Sequence, residues 1–249
     1  MKVAVVGGTG VAGRCTVEAL RAGGHEPLAL SRSTGVDVAI GAGLGAALRG
    51  ADAVIDATNV ATLKAAAAEA FFGAAARNLT TAAEQAGVGH VVALSIIGID
   101  RVPSGYYQGK LRQERVLAGS AVPVSILRAA QFHEFPGQYL ERFKRGWVVV
   151  PTWRVQPVAA REVGAALAEL ATRPPVPMTE LAGPQVETMA DLVRRYAAAT
   201  GQRRRVVEVR VPGGMGRAMA RGGNLPDRPG LVGSQTFEDW LREQHPGQV

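Results

Sequence analysis

Three glycines, Gly7, Gly10 and Gly13, recur every third residue near the start of the chain, between a valine-rich run and a helical pattern. Lys2 to Val6 is short, apolar and ends in glycine, so it reads as a fully buried strand of a parallel sheet. Gly13 to Ala22 has helical spacing, and Gly23-Gly24 stops it. A glycine-rich turn between a strand and a helix has a physical use. Gly7 permits the tight turn, Gly10 lets the backbone approach a phosphate, and Gly13 lets the helix pack closely on the sheet. The helix N-terminus then offers free N–H donors and the positive end of its dipole to a pyrophosphate. Thr9 and Val11, inside the same turn, belong to the same expected binding set.

Alternation of strands and helices continues for roughly the first 130 residues. Strands are expected at Pro27 to Leu30, Val36 to Ile40, Ala53 to Ala57, Val91 to Ser95 and Val122 to Leu127. Helices are expected at Leu44 to Arg49, Leu63 to Gln85 and Gly109 to Leu117. This order predicts an α/β fold with a doubly wound parallel sheet. The remainder is less regular. Trp147 to Val150, Met178 to Leu181 and Val206 to Val211 read as strands. Arg161 to Ala171, Met189 to Ala199 and Phe237 to Gln244 read as helices, and Gly213 to Gly230 as a loop or broken helix. A nucleotide-binding domain over residues 1–150 is expected, with a smaller, interleaved α+β cap over 151–249 packed on it rather than folding independently.

The residues after the second strand address which dinucleotide is bound. An NAD site usually places Asp or Glu there for the ribose 2′-hydroxyl. This chain has Arg32, flanked by Ser31 and Ser33. A guanidinium and two hydroxyls suit a 2′-phosphate, which a carboxylate would repel. NADP(H) is therefore favoured over NAD(H). Asp37 is a candidate for the adenine amino group, or equally a turn cap. Thr58 and Asn59 end the next strand and border the ligand crevice, with a helix cap as the alternative for Asn59.

The set Gly7-x-x-Gly10-x-x-Gly13, Ser31-Arg32-Ser33, Ala53-Val54-Ile55-Asp56-Ala57, Ala93-Leu94-Ser95 and Tyr106-x-x-x-Lys110 resembles the short-chain dehydrogenase/reductase superfamily. More narrowly it is similar to its atypical, NmrA-like and NAD(P)H-binding branch. The resemblance extends through Leu127-Arg128-Ala129-Ala130-Gln131-Phe132 and Gln156-Pro157-Val158 to Leu181-Ala182-Gly183-Pro184, nearly the whole chain. It implies a Rossmann-type fold and catalytic roles for Tyr106, Lys110 and Ser95. The tyrosine handles the proton as hydride moves, the lysine lowers its pKa and holds the nicotinamide ribose, and the serine orients a carbonyl. Spacing agrees: residues four apart on a helix share one face, and an ammonium favours tyrosinate. The position two past Ser95 is the apolar Ile97, a departure from the active pattern. Asn78 resembles a helix asparagine that supports the lysine through water, with buried polar packing as the alternative. Gln131, Phe132 and His133 follow the next strand and are expected to face the substrate. The implied activity is an NADP(H)-dependent oxidoreductase for a small carbonyl or conjugated substrate. The alternatives are a non-catalytic NmrA-like redox sensor and a sugar-nucleotide epimerase or dehydratase, the latter disfavoured by a short C-terminal half.

The net charge is +7, with 28 basic residues of which only Lys2, Lys64, Lys110 and Lys144 are lysines. Nine arginines lie between Arg194 and Arg228, but only Tyr196 interleaves with them, which argues against nucleic acid. The 213–230 segment is a candidate lid over the substrate. With a single cysteine, Cys15, neither an intrachain disulfide nor a cysteine-based zinc site is possible, and no metal is expected. The thiol fits a reducing, cytoplasmic setting. No apolar run is long enough for a membrane helix, the N-terminus does not read as a secretory signal, and a monomer or homodimer is expected.

Overall fold

The computed structural model describes residues 1–143 and 146–246. Strands are β1 Lys2–Val6, β2 Glu26–Leu30, β3 Ala53–Asp56, β4 His90–Ile96, β5 Val124–Ala129, β6 Trp147–Pro151, β7 Arg154–Val155, β8 Met178–Ala182, β9 Glu187–Thr188, β10 Arg205–Val209 and β11 Leu231–Val232. Helices are α1 Val11–Ala22, α2 Leu44–Ala47, α3 Ala65–Gln85, α4 Gly105–Leu117, α5 Phe135–Leu140, α6 Ala160–Thr172, α7 Met189–Ala199, α8 Gly213–Ala220 and α9 Phe237–Gln244. A seven-stranded parallel sheet runs β11-β8-β5-β4-β3-β1-β2, and two small two-stranded sheets pair β10 with β6 and β7 with β9.

Register levels the strand ends that matter. Val6 of β1 sits opposite Leu30 of β2 and Asp56 of β3. The chain leaves β1 toward β2 on one side and returns to β3 on the other, so the direction of winding reverses there. In open α/β sheets that reversal opens a crevice beyond the carboxyl ends of the strands.

One expected strand is absent from the sheet. Residues 36–40 form a turn closed by a bridge between Asp37 and Ala42. The Asp37 carboxylate accepts the Ala39 N–H at 2.9 Å, which folds the backbone back on itself. Asn78 on α3 holds the turn, donating from Nδ2 to the carbonyls of Val38 and Ala39 at 2.9 and 3.0 Å. Val36 and Val38 are buried, so their apolar side chains serve the core without a ladder. Helix α4 begins at Gly105, four residues earlier than its spacing predicts. Helix α5 has no counterpart among the expected helices; its Pro136 is tolerated in a first turn, where the missing N–H is not needed. Gly213–Ala220 is helical, with irregular chain after it.

The chain divides by packing into two units. One comprises 1–99, 104–128 and 161–179; the other comprises 100–103, 129–160 and 180–249. The first has a core of aliphatic residues from β1, β3, β4 and α3, among them Val6, Val54, Leu79 and Val91. The second is centred on Leu140, Val148, Val193, Phe237, Trp240 and Leu241. Among the described residues no helix is long and apolar enough to cross a membrane.

Candidate active site

The glycine turn is tightly built. Gly7 has φ +80°, a backbone that L side chains avoid, and its N–H donates to Leu30 O at 2.8 Å. A Cβ on Gly13 would stand 2.1 Å from Gly7 O, so α1 packs on the turn only with glycine there. Gly10 differs, since a Cβ would meet only Gly7 O, at 3.3 Å. The fold itself therefore leaves room at Gly10, on the exposed outer side of the turn. Val11 opens α1, whose first turn has no acidic residue and no side-chain cap, so its N–H groups point outward uncapped. Arg14 folds back, donating to Thr9 O at 2.7 Å.

Ser31, Arg32 and Ser33 follow β2 in a short 3-10 turn. The Ser31 N–H donates to Thr34 Oγ1 at 2.8 Å, and Thr34 returns a bond to Ser31 O at 2.9 Å. The two serine hydroxyls lie 2.7 Å apart. An open cavity of about 470 Å³ is lined by Thr9, Ser31, Arg32 and Ser33. Arg32 is exposed and has no ion-pair partner among the described residues. Its guanidinium and the neighbouring hydroxyls are donors without a protein anion to satisfy them.

Beyond β3 and β4 the polar groups are interlocked. Asp56, fully buried, accepts the Thr58 N–H and hydroxyl at 3.0 and 2.6 Å and Gln113 Nε2 at 2.7 Å. Tyr106 donates from its hydroxyl to Asn59 Oδ1 at 2.6 Å, and its ring meets Phe72 edge-on. Burial, reinforced by Tyr107, pushes the Tyr106 phenol above its ordinary value. Lys110 is 3% exposed and donates to Leu94 O at 2.6 Å, with its ammonium 4.6 Å from the Phe72 ring centre. Ser95 donates to Glu114 Oε1 at 2.6 Å, and Glu114 accepts two bonds from Arg128 at 3.0 and 2.7 Å. Ile97 is fully buried. Thus α4 carries Tyr106, Lys110, Gln113 and Glu114, and each has a partner on or just beyond β3, β4 or β5.

Burial pulls Lys110 down to about 8, while Asp56 and Glu114 pull it back up. Its unfolded value is near 10.5. Between these values the unfolded chain holds the proton that the folded chain has released. This group's contribution to stability therefore rises with pH through that window. The unfolding free energy of wild type relative to Lys110→Met is expected to be flat below about pH 7 and to climb from about pH 8 to 10. Urea titrations across that range measure it, and a difference independent of pH would show that the ammonium is not desolvated.

The residues after β5 lie in the second unit. Gln131 Oε1 accepts from Asn224 Nδ2 at 3.1 Å, and Val158 N–H donates to Gln131 O at 2.9 Å. Phe132 bridges to Val158. His133 is fully buried against Phe237 and Trp240, with ring centres 5.5 and 5.9 Å away, and its Nε2 is 3.2 Å from Gln235 O. A histidine walled by aromatic rings is a packing element of that core. Among the described residues no group of acidic, histidine or cysteine side chains is arranged to hold a metal. Sequence reasoning did not single out Asp56, Gln113, Glu114 or Arg128 as site residues. The signal was present only as apolar strands and a helix carrying isolated polar residues at their ends.

Parallel strands flanked by helices, with a tight glycine turn at their carboxyl edge, define a Rossmann-type nucleotide-binding protein. A family model described as NAD(P)H-binding matches residues 7–174, and the chain belongs to that family. No curated protein sequence matches it. Solved structures with the same fold include the NADPH-dependent quinone oxidoreductase QOR2 of Escherichia coli, complexed with NADPH. It is 18% identical with a TM-score of 0.71, over 97% of this chain and 99% of that one. A short-chain dehydrogenase/reductase superfamily protein of Agrobacterium tumefaciens with bound NAD is 19% identical, TM-score 0.70, over 98% and 95%. A UDP-glucose 4-epimerase of Thermus thermophilus in complex with NAD is 19% identical, TM-score 0.72, over the whole of both chains. The likeness to the short-chain dehydrogenase/reductase superfamily therefore holds at the level of fold.

Proposed function

We propose that the protein is an NADP(H)-dependent reductase acting on a small carbonyl or conjugated substrate. The observation that carries the cofactor choice is the cavity whose wall presents the unpaired Arg32 with Ser31, Ser33 and Thr9. A 2′-phosphate dianion is the cofactor group that satisfies such a set. Gly10 and the uncapped start of α1 suit the pyrophosphate, and Thr58 and Asn59 border the ribose. When bound, the reduced cofactor supplies a hydride.

The chain's own residues supply the rest. Burial holds the Tyr106 phenol above its ordinary value, which suits a proton donor at Oη, and reduction is the direction this supports. Its hydroxyl must first leave Asn59 Oδ1. Lys110, fixed on Leu94 O, presents its ammonium beside Phe72 and holds the ribose side of the crevice. Ser95 is engaged with Glu114, so substrate orientation falls to Tyr106. Quinones fit the reading, being both carbonyl compounds and conjugated. The single thiol, Cys15, suits a cytoplasmic setting, and a monomer or homodimer suffices for this chemistry.

One observation favours a second reading, a dinucleotide-binding redox sensor. The hydroxyls of Tyr106 and Ser95 and the ammonium of Lys110 are all hydrogen-bonded within the protein. Length does not separate either reading from sugar-nucleotide epimerisation, because the epimerase above is matched over its full length. NADPH oxidation across a panel of quinones, aldehydes and enones tests the reductase. Turnover on at least one is expected, falling about 10²–10⁴-fold in kcat with Tyr106→Phe. NADPH binding without turnover on any compound would replace the reductase with the sensor.

A further inference from the structure

The second unit holds a cavity of its own, of about 260 Å³, between α5, α7 and α9. Its wall chemistry differs from the rest of this arginine-rich chain. Glu134 and Glu141 line it, with the amides of Gln138 and Gln244 and the His245 imidazole, and among the described residues no arginine or lysine does. Tyr196 and Trp240 form an aromatic wall, stacked with ring centres 6.3 Å apart and 25° between planes. Trp240 in turn stacks on Phe237 at 5.6 Å. The far end of this stack already holds one cation, the Arg195 guanidinium, 5.1 Å from the Phe237 ring centre.

The wall is built to close tolerance. A Cβ on Gly137 would stand 2.7 Å from the Tyr196 ring and hydroxyl, so Tyr196 takes its place only over glycine. Glu134 is incompletely satisfied. Its carboxylate accepts the Ala160 N–H, while Oε2 is buried with no hydrogen-bond partner among the described residues. Burial accordingly holds this carboxyl above its ordinary value. A buried acceptor without a donor costs stability unless something supplies one.

From the cavity, the two carboxylates and the aromatic stack, we infer that this is a binding site for a small organic cation, an alkylammonium. The ammonium pairs with Glu134 and Glu141, and its methyl or methylene groups lie against the Tyr196 and Trp240 side chains that line the cavity. The volume falls just below the range of drug-sized pockets, which limits the ligand to a few carbons beyond the charged nitrogen. The inference is independent of the dinucleotide reading.

The test uses choline chloride on the full chain, followed by the Trp240 indole N–H resonance. Sodium chloride at equal ionic strength is the salt control, and 3,3-dimethylbutan-1-ol is the neutral isostere. A saturable shift with choline is expected, with the isostere about tenfold weaker or worse. Glu134→Gln keeps the acceptor for Ala160 and removes the charge, and is expected to weaken choline binding about tenfold. Should that variant not fold, the exposed Glu141→Gln carries the test, with a loss of about threefold expected. A choline shift no larger than that of salt, an isostere that binds equally well, or a folded charge variant with unchanged affinity would each overturn the proposal.

Discussion

Replacing Glu114 with alanine is expected to lower the unfolding free energy by about 3–5 kcal/mol. Glu114 accepts from Ser95 and twice from Arg128, and the two charged side chains are only 12% and 6% exposed. Its removal leaves a buried guanidinium without its carboxylate and a buried hydroxyl without its acceptor. Both losses carry a desolvation cost that water cannot offset there. The pair need not be a large net source of stability for this to hold. Replacing both partners, as Glu114→Met with Arg128→Met, removes the charges together and is expected to cost less than Glu114→Ala alone. Urea denaturation of the single and double variants measures this directly. A cost below about 1 kcal/mol for Glu114→Ala would mean that the pair behaves as a solvated surface contact. The consequence for function runs through α4. Glu114 lies one helical turn beyond Lys110, so the pair that fixes Glu114 also fixes the height of Lys110 and Tyr106 at the strand ends.

Arg32→Met is expected to weaken NADP binding about 10–100-fold while leaving NAD binding within about twofold. A charge-assisted bond to a phosphate contributes about 1.5–3 kcal/mol, and among the described residues Arg32 has no protein anion to compete for it. Methionine keeps the length of the side chain without its charge, so the loss reports the guanidinium. The backbone of the turn does not depend on Arg32, because Ser31 and Thr34 close it by themselves. Equal losses for the two dinucleotides would place Arg32 at the pyrophosphate, and no loss for either would make it a solvated surface residue.

The parts of this molecule legible in its sequence were the local ones. The Gly7–Gly10–Gly13 turn announces itself because its demands fall on three backbone positions within one strand-to-helix junction. Helices α7 and α9 have the bounds their spacing predicts, Met189–Ala199 and Phe237–Gln244. Residues 36–40 misled because an apolar alternation describes burial equally well in a strand and in a turn. What decides between them is Asn78, about forty residues away in sequence. The polar network around α4 was hidden for the same reason. Asp56, Ser95, Lys110, Gln113, Glu114 and Arg128 are each ordinary residues in isolation. Only the register of β3 and β4 and the docking of α4 bring them together. His133 shows the limit of position alone, since its place after β5 suggested a ligand-facing side chain and the fold turns it into an aromatic core.

The central claim is that the crevice at the glycine turn holds a dinucleotide with its 2′-phosphate against Arg32. Calorimetric titration of the wild-type protein with NADP and with NAD, at one salt concentration, tests it most directly. Saturable binding of one equivalent of each is predicted, with NADP tighter by about tenfold or more. An NAD affinity equal to or greater than that for NADP would contradict the account.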